Sequence, residues 1–211
     1  MASSLHVENL FATPLIVDQP PEASVGRRAL MAGAEHLLIG GRRATICDDM
    51  RALPAAASLI AHVRKLADRW TVDTRTGTPP KWQVYAAIHA GDGGAQPEPP
   101  PRYDAYWAAL YVLDDGYDED AARSAGGEFV LLDPRLPAPM VEMPRLRTML
   151  VQGASPSFYA PELTVRPVSG QLFLYPGYLR IQQRPRGGDR PRLLVETSLV
   201  ASLDHGDHGR T

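Results

Sequence analysis

The sequence predicts a mainly β fold, an antiparallel sandwich or jelly roll, with helices gathered at its N-terminal end. Three observations carry that prediction. From residue 77 onward, short apolar runs alternate with turn signals about every ten residues. Proline (20) and glycine (18) are both abundant and cluster between those runs. Helical periodicity is confined to the first 76 residues.

Leu10–Val17 (LFATPLIV) reads as a first strand, stopped before Asp18-Gln-Pro-Pro. Glu22–Leu38 is alanine-rich and predicts a helix that Gly26 and Gly33 weaken. Ala55–Trp70 is the strongest helix: Leu59, Val63, Leu66 and Trp70 fall at i, i+4, i+7 and i+11, so Trp70 and His62 are expected in helix packing. After the Gly77–Pro80 turn come Trp82–His89, a loop over 90–101, and the continuous apolar strand Tyr106–Leu113, expected to be central. Asp114–Ala125 reads as a solvated acidic loop. Gly127–Leu132 is a further strand, Leu136–Ala160 is ambiguous, and Glu162–Arg166, Gly170–Tyr175 and Arg192–Leu199 complete the set. The tail from Asp204 is polar and expected to fray. No internal repeat interrupts this order. A single domain over 1–211 is expected, with 1–76 as supporting strand and helices, 77–200 as the core and 201–211 as tail.

Composition excludes several classes. At 211 residues, 44% hydrophobic and 22% charged, the chain is an ordinary globular one. A net charge of −2 gives no reason to expect nucleic acid. Cys47 is the single cysteine, so no internal disulfide forms, and a reducing cytoplasm is expected. The start MASSLHVENLF has neither the basic nor the apolar region of a signal peptide, and no apolar run is long enough for a membrane span. There is no Gly-x-Ser-x-Gly elbow, no phosphate-binding loop and no His-Glu-x-x-His.

The order of motifs carries a resemblance. LFATPLIV, KWQVY (81–85), AYWAALYVL (105–113), GGEFVLLDPR (126–135), SGQLFLYPGYL (169–179) and RPRLLVETSL (190–199) together resemble a family of small 2-oxoglutarate/Fe(II)-dependent oxygenases of the prolyl-hydroxylase type. The resemblance runs over roughly the whole chain and implies a double-stranded β-helix, the cupin-like jelly roll. It also implies an iron held by two histidines and a carboxylate, with three positions left open for the oxo-acid and dioxygen.

Those ligands are not where the resemblance puts them. The first pair belongs in PPPRYDAYW, where Arg102 and Asp104 have its spacing. Arg102 has no lone pair to give, so Asp104 is the carboxylate that remains. The distal histidine falls on Ile181, a hydrocarbon, and Gln182 and Gln183 beside it offer neutral amide oxygens. His89 and Asp92 form a local His/carboxylate couple at the wrong spacing, so His89 and Asp104 are the residual metal candidates. His205 and His208 lie in the glycine-containing tail and read as solvated.

What the resemblance retains is a basic residue for the far carboxylate of 2-oxoglutarate. Arg192 is the better match, with Arg190 beside it; a guanidinium fork grips a carboxylate through two bonds. Arg166, Arg180, Arg184 and Arg186 add positive charge, which favours an anionic small-molecule ligand. By analogy with the family, Trp107 and Tyr111 line the cavity, with Tyr85 and Gln182 as further pocket residues. Glu128 and Glu196 are carboxylates inside strand patterns, able to accept a proton if desolvated, and Asp104 and Glu128 are the catalytic candidates.

Three functions follow. The first is an oxygenase fold with a degenerate metal site, binding an anionic or aromatic metabolite as a metal-independent enzyme or a non-catalytic partner subunit. The second is an active 2-oxoglutarate/Fe(II) dioxygenase whose ligand set is rebuilt from Asp104, His89 or Glu128. The third is an interaction module using Asp114–Asp120. The sequence favours the first. An open sheet edge also makes a homodimer an expectation.

Overall fold

The computed structural model describes residues 13–38, 54–91, 104–117, 126–132, 149–152, 155–158, 162–187 and 190–202. Strand β1 is Ile16–Asp18. It is followed by three helices, α1 (Glu22–Val25), α2 (Arg27–Leu38) and α3 (Pro54–Arg69). The helix expected over 22–38 is therefore two. Gly26 takes a left-handed φ of 60°, its N–H bonds to Glu22 O, and α1 ends there. A side chain at Gly26 would begin 3.2 Å from Ala55 Cβ, so this glycine also brings the break close to α3.

The strands follow as β2 (Lys81–Gly91), β3 (Trp107–Asp114), β4 (Phe129–Leu132), β5 (Met149–Gln152), β6 (Ser155–Phe158), β7 (Glu162–Val165), β8 (Leu172–Pro176), β9 (Ile181–Gln183) and β10 (Arg192–Ser202). They form a five-stranded sheet in the order β1-β8-β3-β10-β2, a three-stranded sheet β7-β4-β9 and the pair β5-β6, with every pairing antiparallel. β10 is the spine. It pairs with β2 from Arg192↔Gly91 to Ser202↔Lys81, and with β3 on its other side. A register shift at Leu193/Leu194 marks a bulge next to Arg192.

The large sheet is buried on both faces. One face packs on the helices: Ala56, Leu59, Val63 and Ala67 of α3 meet Ile88, Tyr111, Leu113, Leu174 and Leu199. The other faces the small sheet across a second cluster containing Ala108, Leu110, Phe129, Leu131, Phe173, Ile181 and Leu194. Phe129 and Phe173 meet there edge to face, 5.7 Å between ring centres. This second cluster is the interior of the jelly roll.

Side-chain bonds tie the helices to the sheet. His62 bonds Asp18 Oδ2 at 2.7 Å, and Arg27 donates to Leu113 O at 2.8 Å. Trp70, expected in the helix packing, lies just past α3 and is 57% exposed, because the stripe ends at Ala67. Among the described residues no helix is long and apolar enough to cross a membrane.

Candidate functional site

Arg192 opens β10 and points to the jelly-roll interior, the same face as Leu194. Its side chain is only 4% exposed. Nε donates to Asp115 O at 3.1 Å and Nη1 to Gly127 O at 2.7 Å. The guanidinium stacks 5.4 Å from the ring centres of both Tyr117 and Phe129. Nη2 is buried and makes no hydrogen bond of sound geometry among the described residues, though the Tyr117 hydroxyl lies close enough to favour its charge. Burial pushes the group below the ordinary arginine value, against the opposing pull of Tyr117, yet a guanidinium starts so high that it stays a cation.

Two glycines make this packing possible. Gly127 has a φ of 80°, and a Cβ there would lie 2.7 Å from Arg192 Nη2 and 2.8 Å from Tyr117 Oη. Gly116, with a φ of 67°, admits Arg186 in the same way. Neither glycine was singled out from the sequence; the Gly126-Gly127 doublet was the available signal.

Tyr117 is the centre of an arginine cluster. The Arg166 guanidinium lies 4.4 Å from its ring centre and that of Arg186 5.9 Å. Tyr117 donates its hydroxyl to Gly126 O at 2.9 Å. The buried Arg186 donates to the carbonyls of Gly116, Gly187 and Arg190. The start of the acidic loop is thus not solvated. Asp114 pairs with Arg190, and Asp115 accepts from the N–H groups of Tyr117 and Ser169, because the arginines draw this turn inward. Residues 118–125 lie outside the described residues.

The other expected site residues divide. Tyr85 alternates with Val84 and Ala86, which face the helices, so it takes the interior face of β2, as does His89. Trp107 and Tyr111, expected toward the cavity, face the helices instead. Trp107 donates to Thr71 Oγ1 at 2.7 Å, and Tyr111 is buried in the helix-facing cluster, where desolvation raises its pKa. Gln182 is exposed on β9, between the interior-facing Ile181 and Gln183. Glu128 precedes Phe129 and by alternation turns away from the interior. Arg190 is half exposed and committed to Asp114 and to Tyr117 O. Asp104 is exposed in the turn before β3. Asp92, Arg102, His205 and His208 fall outside the described residues.

The sequence matches no family profile and no curated protein. Solved structures do match in shape. A Pseudomonas putida prolyl-4-hydroxylase superposes with a TM-score of 0.55 and 17% identity over 92% of this chain and 91% of that one. The fold is that of the 2-oxoglutarate/Fe(II) oxygenases. HygX from Streptomyces hygroscopicus, solved with nickel and 2-oxoglutarate, gives 0.54 and 17% identity over 90% and 84%. A viral collagen prolyl hydroxylase from Paramecium bursaria Chlorella virus-1 gives 0.50 and 7% over 95% and 98%.

The oxygenase fold implies iron; among the described residues no group of three His, Cys, Asp or Glu side chains could hold a metal ion. Ile181, at the distal ligand's place, is 8% exposed and packed among Phe129, Leu131 and Leu179. A hydrocarbon offers no lone pair. Of the expected ligand positions that the structure describes, Asp104 is a carboxylate and Ile181 is not a ligand, while three ligands are needed; residues 92–103 lie outside the described residues.

Proposed function

We propose that this chain uses the oxygenase fold to hold a small carboxylate at Arg192, without an iron centre at the usual positions. It acts either as a metal-independent enzyme or as a non-catalytic partner subunit. One observation carries the reading: a buried cationic nitrogen, Arg192 Nη2, makes no hydrogen bond of sound geometry among the described residues, with only the neutral Tyr117 hydroxyl beside it. An unsatisfied buried donor on a charged group costs about 1–3 kcal/mol or more. A ligand carboxylate would supply the missing acceptor and the missing charge. HygX, of the same fold, was solved with 2-oxoglutarate, which makes that dicarboxylate the first probe.

The test is calorimetric titration of 2-oxoglutarate into protein stripped with a chelator, beside metal analysis of the untreated protein. The expected result is saturable binding that chelation leaves unchanged. Stoichiometric iron held by this chain, with iron-dependent succinate formation, would overturn the reading.

A further inference from the structure

Arg192 does not stand alone on its face of β10. Alternation brings Leu194, Glu196 and Ser198 to the same side. Glu196 is opposite Ala87 on β2 and Leu110 on β3, neither of which offers a polar group. Its partner comes from the next row: His89 Nε2 lies 2.9 Å from Glu196 Oε2. The oxygen lies off the ring N–H line, and this buried nitrogen makes no hydrogen bond. The two side chains are therefore in close contact but not locked by a hydrogen bond. One row the other way, the register runs Tyr175–Ala108–Ser198–Tyr85 across four strands, which places a buried phenol on the same side as Glu196. His89 is opposite Leu194, so its Cα is about 8 Å from that of Arg192. Glu196 itself is four residues along β10 from Arg192, about 13 Å between Cα atoms, a distance that the two long side chains and a short dicarboxylate between them together span.

We propose that Glu196, backed by His89, is a general base that enolises a small carboxylic acid bearing a carbonyl group, held at Arg192. The proposal rests on the carboxylate reading of Arg192 above. In the step, a C–H bond next to the carbonyl breaks and its proton passes to the Glu196 carboxylate. The electron pair forms a carbon–carbon double bond, and the carbonyl oxygen becomes an enolate. Reversal returns a proton to carbon. The step is redox-neutral and needs no co-reactant. His89, on the edge strand and the more exposed of the pair, links Glu196 to solvent protons. Tyr175, beyond Glu196 in the Ser198 row, keeps its proton, since burial first and the Glu196 charge second push its pKa upward, so it does not compete with Glu196 as a base.

The experiment is proton NMR of 2-oxoglutarate with the intact protein in D2O, following the C3 methylene, with saturation transfer in the same tube to report binding. Loss of the C3 signal well above the buffer rate is expected. In Glu196→Gln it should slow about 100-fold, the ordinary contribution of a general base, with binding retained. Bound 2-oxoglutarate whose C3 protons survive at the buffer rate overturns the inference but leaves the carboxylate reading standing. Absence of binding overturns both. Exchange by Glu196→Gln at the wild-type rate also overturns the inference. Should that variant fail to fold, His89→Gln on the edge strand replaces it: slower exchange with binding retained supports the proposal, and an unchanged rate overturns it.

Discussion

Arg192→Met removes the charge and keeps most of the stem, so it separates two jobs. The guanidinium makes two charge-assisted bonds, to Asp115 O and Gly127 O. Each is worth roughly 1.5–3 kcal/mol. Relief of a desolvated charge offsets part of that loss, leaving a net cost of about 3 kcal/mol. For a chain of this size that lowers Tm by about 6–12 °C. Ligand binding adds a second, independent signal. At a hundred times Kd, 2-oxoglutarate stabilises the wild type by about 2.7 kcal/mol, roughly 5–11 °C. In Arg192→Met this increment should vanish. The assay is thermal unfolding by circular dichroism, with and without ligand. A variant that keeps the ligand increment refutes Arg192 as the carboxylate anchor. A variant whose unliganded Tm is unchanged refutes its role in tying the two turns. Arg192→Lys keeps the charge without the fork and should fall between.

Gly127→Ala places a methyl against Arg192 Nη2 and Tyr117 Oη at a φ of 80°. Urea denaturation should show a loss of about 2–4 kcal/mol, with weaker 2-oxoglutarate binding alongside. Ile181→His buries an imidazole among apolar side chains; a cost of about 2–4 kcal/mol is expected in the same assay, and metal analysis should find no iron gained. Tyr111 and Tyr175 have pKa values raised above 10.0, so alkaline titration at the phenolate absorbance should find at least these two of the eight tyrosines ionising late. The sign follows from linkage. Above pH 10 the unfolded chain sheds phenolic protons that the folded chain keeps, so their contribution is full below pH 10 and is lost as pH rises toward the folded values.

Much of the fold was legible because its signals are local. Helix α3 was expected over 55–70 and runs over 54–69, since its apolar stripe is unbroken. The jelly roll came from motif order, and the neighbouring structures have that fold. The face of β3 was not legible. All but its last residue are buried, so alternation gives two sets and no sign of which meets the helices; analogy put Trp107 and Tyr111 on the wrong one. The pairing of β1 with β8 is long-range and left no local mark. At the site, Arg192 and Ile181 were read by correspondence of motifs. Tyr117 and the two close-packed glycines were not, because a turn that looks acidic in sequence becomes an arginine-lined one only when β10 returns beside it. Glu196 and His89 were noticed separately, and their meeting depends on the β2–β10 register.

The same guanidinium to which the proposed function assigns a ligand carboxylate also fastens the 114–117 turn to the 126–127 turn. Receptor and rivet are one side chain. Any anion that pulls on Arg192 therefore pulls on two backbone carbonyls, and any change in those turns is felt by the anion. Affinity and rigidity in this corner of the molecule are set by a single variable, and selection cannot adjust one without moving the other.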